Sequence, residues 1–216
     1  AWRADPEAPA HAWVSRLLAT RVIVVMPMTN SYGYFHTTRE ENGIDPNRDF
    51  PYYQRASNCM KTITARSVNE VWREHAFQLA VTFHGGMQAI AYEWGAPNRP
   101  RPHDESPDDR AQRGVGLAMG AFAGQFDGDW YPVDRLNSLV YPVKGGMEDW
   151  GYASSWDTSF VHACTPTTFG GYPAEKTTYD DDMLRVFNIL VETSDQKRPS
   201  ASKMGNDAAL LVPSGR

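Results

Sequence analysis

The sequence predicts an α/β fold: a three-layer sandwich in which a mixed, mostly buried β-sheet lies between helices. Three observations carry that prediction. Apolar residues recur as short unbroken runs, RVIVVMPM (21–28), QLAVTFH (78–84), SLVYPV (138–143) and RVFNILVE (185–192). An unbroken run, unlike an alternating one, fits a strand covered on both faces. Helix-like segments lie between the runs, and 216 residues suit one domain with a sizeable core.

Taken in order, PAHAWVSRLL (9–18) supplies a helix before the first strand and MKTITARSVNEVWREH (60–75) a helix before the second. SPDDRAQRGVGLAMGAFAGQF (106–126) opens as helices do. Ser106 is placed to cap it, Pro107 takes the first helical position, and Asp108 and Asp109 sit in the positive first turn. GAPNRPRPHDESP (95–107) is a proline-rich surface loop with solvated charges. The run Asp180–Asp182 begins a short helical turn and lacks the spaced ligands of a calcium loop. No internal repeat occurs at solenoid or propeller spacing.

The bulk numbers exclude more than they assign. A hydrophobic content of 41% is that of an ordinary globular protein. A net charge of −5 gives no electrostatic case for nucleic acid or an anionic membrane. No apolar run approaches the roughly 20 residues of a membrane span. The chain starts at Ala1 without a signal pattern and ends in the apolar AALLVPSGR, so it reads as a piece of a longer polypeptide. Cys59 and Cys164 both lie in turn-rich segments. Two separate buried thiols and one disulfide of an oxidising compartment (secreted, or an organelle lumen) both fit, and sequence cannot join them. There is no G-x-S-x-G, and GVGLAMG (114–120) has the wrong spacing for a dinucleotide loop.

Six residues in particular places bear on chemistry. In GIDPNRDFPY (43–52), Asn47 and Arg48 stand side by side in a turn stiffened by Pro46 and Pro51. A guanidinium fork matches a carboxylate with two hydrogen bonds, and the amide adds another. Arg39 alone is a solvated charge. His84 ends a strand and precedes Gly85 and Gly86, and the ends of α/β strands are where ligand sites gather. Glu192 closes a buried run, where desolvation raises a carboxylate's pKa toward that of a general base. Tyr152 follows GGMEDW and could move onto a bound ligand.

Together, Arg39, GIDPNRDFP, FHGG, GGMEDWGY and VETSDQKRP resemble, in order and spacing, the zinc metallocarboxypeptidases. The likeness is nearest to the regulatory N/E branch, with its DLNRNFP, LHGG, GGMQDxNY and ExSxxKxP stretches, and it covers most of residues 20–200. It implies a carboxypeptidase-like fold and a zinc-dependent exopeptidase that removes a C-terminal amino acid. It implies His84 as a zinc ligand, with Asp45 orienting another ligand histidine. Asn47 and Arg48 would hold the terminal carboxylate, Arg39 the oxyanion, and Tyr152 would close over the bound residue. Glu192 would take a proton from zinc-activated water and hand it to the leaving amine.

The family's other two zinc ligands come from an upstream H-x-x-E. None of the six histidines here, His11, His36, His75, His84, His103 and His162, has Glu three residues on. The expectation is therefore one catalytic domain over 1–216, incomplete at its start and cut at its end. It would need the preceding segment for zinc and would take peptide or protein C-termini as substrate. Gly95, with Glu93 nearby, stands where the N/E branch has an acid for basic residues, and Ala153–Thr178 is long and unlike the family. A deacylase of small N-acyl amino acids and an inactive, metal-free binding module are the competing readings.

Overall fold

The computed structural model describes residues 11–99, 104–178, 186–198 and 200. The expected Asp180–Asp182 turn and the terminal AALLVPSGR lie outside them. Two units separate: 1–27 with 197–216, and Met28–Gln196. In the first, helix α1 (His11–Thr20) forms close to its expected place. The run 21–28 is not a strand: residues 21–26 have no regular structure, and Val22 and Val25 are exposed. An apolar run becomes a strand only where a neighbour satisfies its backbone.

The second unit is built on a four-stranded mixed sheet, β1 (Leu79–His84), β2 (Met87–Tyr92), β5 (Val133–Arg135) and β6 (Phe187–Ser194), in the order β1-β6-β2-β5. β6 runs parallel to β1 and antiparallel to β2, while β5 runs parallel to β2. A two-residue ribbon of β3 (Gln125–Phe126) and β4 (Asp129–Trp130) stands apart. The helices are α2 (Ser31–His36), α3 (Ile63–Glu74), α4 (Asp109–Ala123), α5 (Leu136–Leu139) and α6 (Met147–Ala153).

The two faces of the sheet are covered differently, which gives the three layers. On one, Ile90, Tyr92, Ile189 and Val191 pack with Val115 and Met119 of α4. Gly116 permits this approach, since a Cβ there would stand 2.7 Å from Val133 Cγ1. On the other, Ala91 and Leu190 pack with Leu136 and Val143, and Asn188 Nδ2 donates to Met147 O of α6 at 3.1 Å. β1 is the edge strand. Its Leu79, Val81 and Phe83 stay 48%, 39% and 72% exposed, so the sheet is doubly buried only at β2 and β6.

Several elements differ from expectation. β2 was not expected, because Gln88 and the preceding glycine pair interrupt its apolar pattern. SLVYPV (138–143) is no strand: α5 ends at Leu139 and the chain crosses irregularly to bury Val143. Ser106 does not cap α4. Its hydroxyl donates to Gln112 Oε1 at 2.7 Å, and the cap falls at Asp108.

The start of α3 fixes what the site needs. Thr62 caps it, accepting from Ala65 N at 3.0 Å. Glu41 accepts from Ile63 N at 2.7 Å and from Thr64 N at 2.9 Å. Asp49 accepts from Lys61 N at 3.0 Å and from Thr62 N at 2.7 Å. These two acids flank the segment 42–48 and tie both of its ends to the positive pole of one helix. Burial pushes the Asp49 carboxyl up to about 6, with these hydrogen bonds acting against it.

Candidate active site

The turn Pro46–Arg48 is a single 3-10 turn. Asp45 caps it, accepting from Asn47 N at 3.0 Å, and takes Arg39 Nε at 2.6 Å on its other oxygen. Asp45 therefore orients Arg39 and its own turn; no histidine appears among its hydrogen-bond partners in the described residues. Burial pulls the Arg39 guanidinium down, but the Asp45 hydrogen bond, with the charges of Asp45, Tyr141 and Glu192, outweighs it and raises the pKa. Arg39, Tyr141 and Glu192 thus share one electrostatic neighbourhood.

Asn47 is the hub. Its Nδ2 lies 3.2 Å from His84 Nε2 and 3.3 Å from each oxygen of Glu148, and its Oδ1 accepts from Met147 N at 2.7 Å. Arg48 donates to Asn47 O at 2.6 Å and to the Tyr141 hydroxyl at 3.1 Å. Its carbonyl accepts from Gln54 Nε2 at 2.8 Å. His84 and Glu192 are register partners on the parallel strands β1 and β6. Register partners face the same side of a sheet, roughly 4.8 Å apart. Both lie on the α6 side, as Thr82, two residues before His84, reaches Asn188 Oδ1 at 3.3 Å. Glu192 is 8% exposed and lies within β6, not at its end.

Arg39, Asp45, Asn47, Arg48, His84 and Glu192 therefore gather at one end of the parallel pair. Tyr152 does not join them in the expected way. It is a core residue of α6, 0% exposed, whose hydroxyl donates to Asp108 at 2.8 Å and whose ring meets Trp94 and Trp156 edge-on. The tyrosine against Arg48 is Tyr141, 55% exposed on the loop before the glycine pair. Sequence reasoning took the tyrosine after GGMEDW and missed the one before it. The signal was there: VYPVKGG sets a tyrosine in a proline-containing loop that a glycine pair ends.

Glu148 was missed as well. It is 1% exposed, and its partners among the described residues include Asn47 but no cation. Its neighbour Asp149 accepts from Gly95 N at 2.8 Å, and burial pushes its carboxyl up to about 7. A Cβ at Gly95 would stand 2.5 Å from Leu136 Cδ2 and 3.5 Å from Asp149 Oδ2. A side chain at that position would require the Leu136 side chain to shift.

A catalytic zinc requires three protein ligands. His84 is the one suited to that role at this edge. No group of three or more His, Cys, Asp or Glu able to hold a metal occurs among the described residues. The described residues do not by themselves complete a zinc site.

Two comparisons bear on this geometry. Carboxypeptidase A2 of Rattus norvegicus is similar to the chain, at 23% identity over 189 residues, which is 74% of this chain and 44% of that protein. The chain thus spans less than half the length of that relative. Residues 9–188 match the zinc carboxypeptidase family, whose sandwich of helices around a mixed sheet agrees with the architecture above. With that match over most of its length, the chain belongs to the zinc carboxypeptidase family.

Proposed function

We propose that this chain carries the substrate clamp and general base of an exopeptidase that removes C-terminal residues from peptides. The observation that supports it best is the meeting of Asn47, Arg48, His84 and Glu192, drawn from three separated stretches of the chain. Arg48 and Asn47 would take the terminal carboxylate by charge-assisted hydrogen bonds, and Tyr141 would release Arg48 and close over the substrate. This fixes the distance from the chain end to the bond that is cut, and an internal peptide bond lacks the group that positions it. Glu192 would accept a proton from the attacking water and return it to the leaving amine. Arg39, held through Nε by Asp45, would offer its remaining nitrogens to the oxyanion. The family's zinc would find one ligand in His84, the others coming from outside the described residues. The wording of the motifs supports the N/E branch.

Arg48→Ala in the complete protein should lower kcat/KM on a peptide with a free C-terminus by about 10–100-fold, the cost of a lost charge-assisted pair. Its amidated counterpart, already a poor substrate, should change little. Equal losses on both would reject carboxylate capture. The same clamp would hold an N-acyl amino acid, so parallel assays on blocked peptides and N-acyl amino acids separate peptidase from deacylase.

Glu148 supports a cationic C-terminal residue. A buried carboxylate held by one amide, with no counter-charge among the described residues, is costly until a cation meets it. Glu148→Gln should cut the preference for Lys or Arg over Leu by about 10–100-fold while sparing Leu substrates. An unchanged ratio, read from competing peptides, would remove Glu148 from the specificity pocket.

A further inference from the structure

Behind the carboxylate clamp lies a cavity of about 590 Å³ lined by Arg55, Lys144, His162, Tyr53 and Phe160, with neutral polar groups between. No Asp or Glu lines it among the described residues, and no ion pair engages Arg55, Lys144 or His162 there.

The walls of this cavity are fixed. Tyr53 N donates to Phe160 O at 2.8 Å, and Tyr52 bridges Val161. Thr165 N donates to Ala56 O at 2.8 Å, and the Cys59–Cys164 disulfide clamps the same two segments. The third wall is equally tied down: Gly145, next to Lys144, donates to Tyr52 O at 3.0 Å and accepts from Phe50 N at 3.1 Å. The Lys144 ammonium lies 4.8 Å from the Tyr53 ring centre, and the Tyr53 and Phe160 rings meet edge-on at 5.8 Å. The backbone that carries these cations is held in place, and aromatic walls suit a ligand with an apolar body.

We infer that this cavity binds a small polyvalent anion bearing carboxylate, sulfate or phosphate groups, at a site separate from the catalytic clamp. Arg55 and Lys144 supply the charge, His162 adds a ring-nitrogen hydrogen bond, and Tyr53 and Phe160 cover the ligand's body. Gln54 lines the cavity and also donates to Arg48 O at 2.8 Å. The cavity is thus one hydrogen bond away from the loop that carries the clamp.

The test is titration calorimetry of the complete protein with citrate, sulfate and inorganic phosphate at constant ionic strength. The variants are R55Q/K144Q and, as a control for anions on the clamp, R48A. Both positions of the double variant are exposed, so it should fold, and its thermal midpoint is checked first. Saturable binding of at least one anion, weakened about tenfold or more in R55Q/K144Q and little changed in R48A, is the expected result. Binding that survives in R55Q/K144Q, binding that is lost only in R48A, or no saturable heat with any of the three overturns the inference. The measurement needs no turnover, so it stands or falls independently of the exopeptidase reading.

Discussion

Glu192→Gln in the complete protein should lower kcat by about 10²–10⁴-fold, the range a positioned proton-transfer group contributes. KM, thermal stability and metal content should stay close to those of the parent. The separation of effects follows from where Glu192 sits. Its backbone is paired on both sides, with His84 across the parallel ladder and Ala89 across the antiparallel one. An isosteric amide therefore keeps the strand, the packing and the clamp. What it loses is a carboxylate able to accept a proton, 8% exposed and on the same face as His84. Steady-state kinetics on a peptide with a free C-terminus, with metal analysis of the same preparation, reads this directly. Turnover within a few-fold of the parent would end the case for Glu192 as base.

The second large effect concerns stability. Cys59 and Cys164 form a disulfide that closes a loop of 105 residues, and both are buried. Cross-links over loops this long lie at the upper end of the usual range, about 2–5 kcal/mol. For a domain of this size that is about 5–15 °C in Tm. Cys59→Ser/Cys164→Ser should show that drop in oxidising buffer, and reductant should move the parent toward the variant. Limited proteolysis should cut first at 159–165, the segment the bond holds against 52–59. Coincident melting curves for parent and variant would show that the bond carries no such weight.

What could be read in the sequence follows the range of the interactions. β1 and β6 were legible because each is an unbroken apolar run; Asp45, Asn47, Arg48, His84 and Glu192 could be singled out because each sits in a distinctive local stretch, whereas Arg39 came only with the resemblance. Tyr141 and Glu148 contact Arg48 and Asn47 from about a hundred residues away in the chain, and local wording does not encode such pairings. Tyr152 misled because GGMEDWGY looks like a glycine-rich loop, yet its acidic first turn starts a buried helix. The run 21–28 had a strand's composition, and composition cannot supply a neighbour. The joining of Cys59 to Cys164 was likewise a fact of tertiary structure.

The border strand β1 has one more consequence. Leu79, Val81 and Phe83 stand outward in alternation on a strand paired on one side only among the described residues. A row of unmatched amides and carbonyls beside such side chains is a template for recruiting another chain, the first step toward aggregates. Handling of the isolated 216-residue polypeptide is therefore governed by concentration, and a lysine at position 81 or 83 is the change that blunts this tendency without touching the catalytic edge.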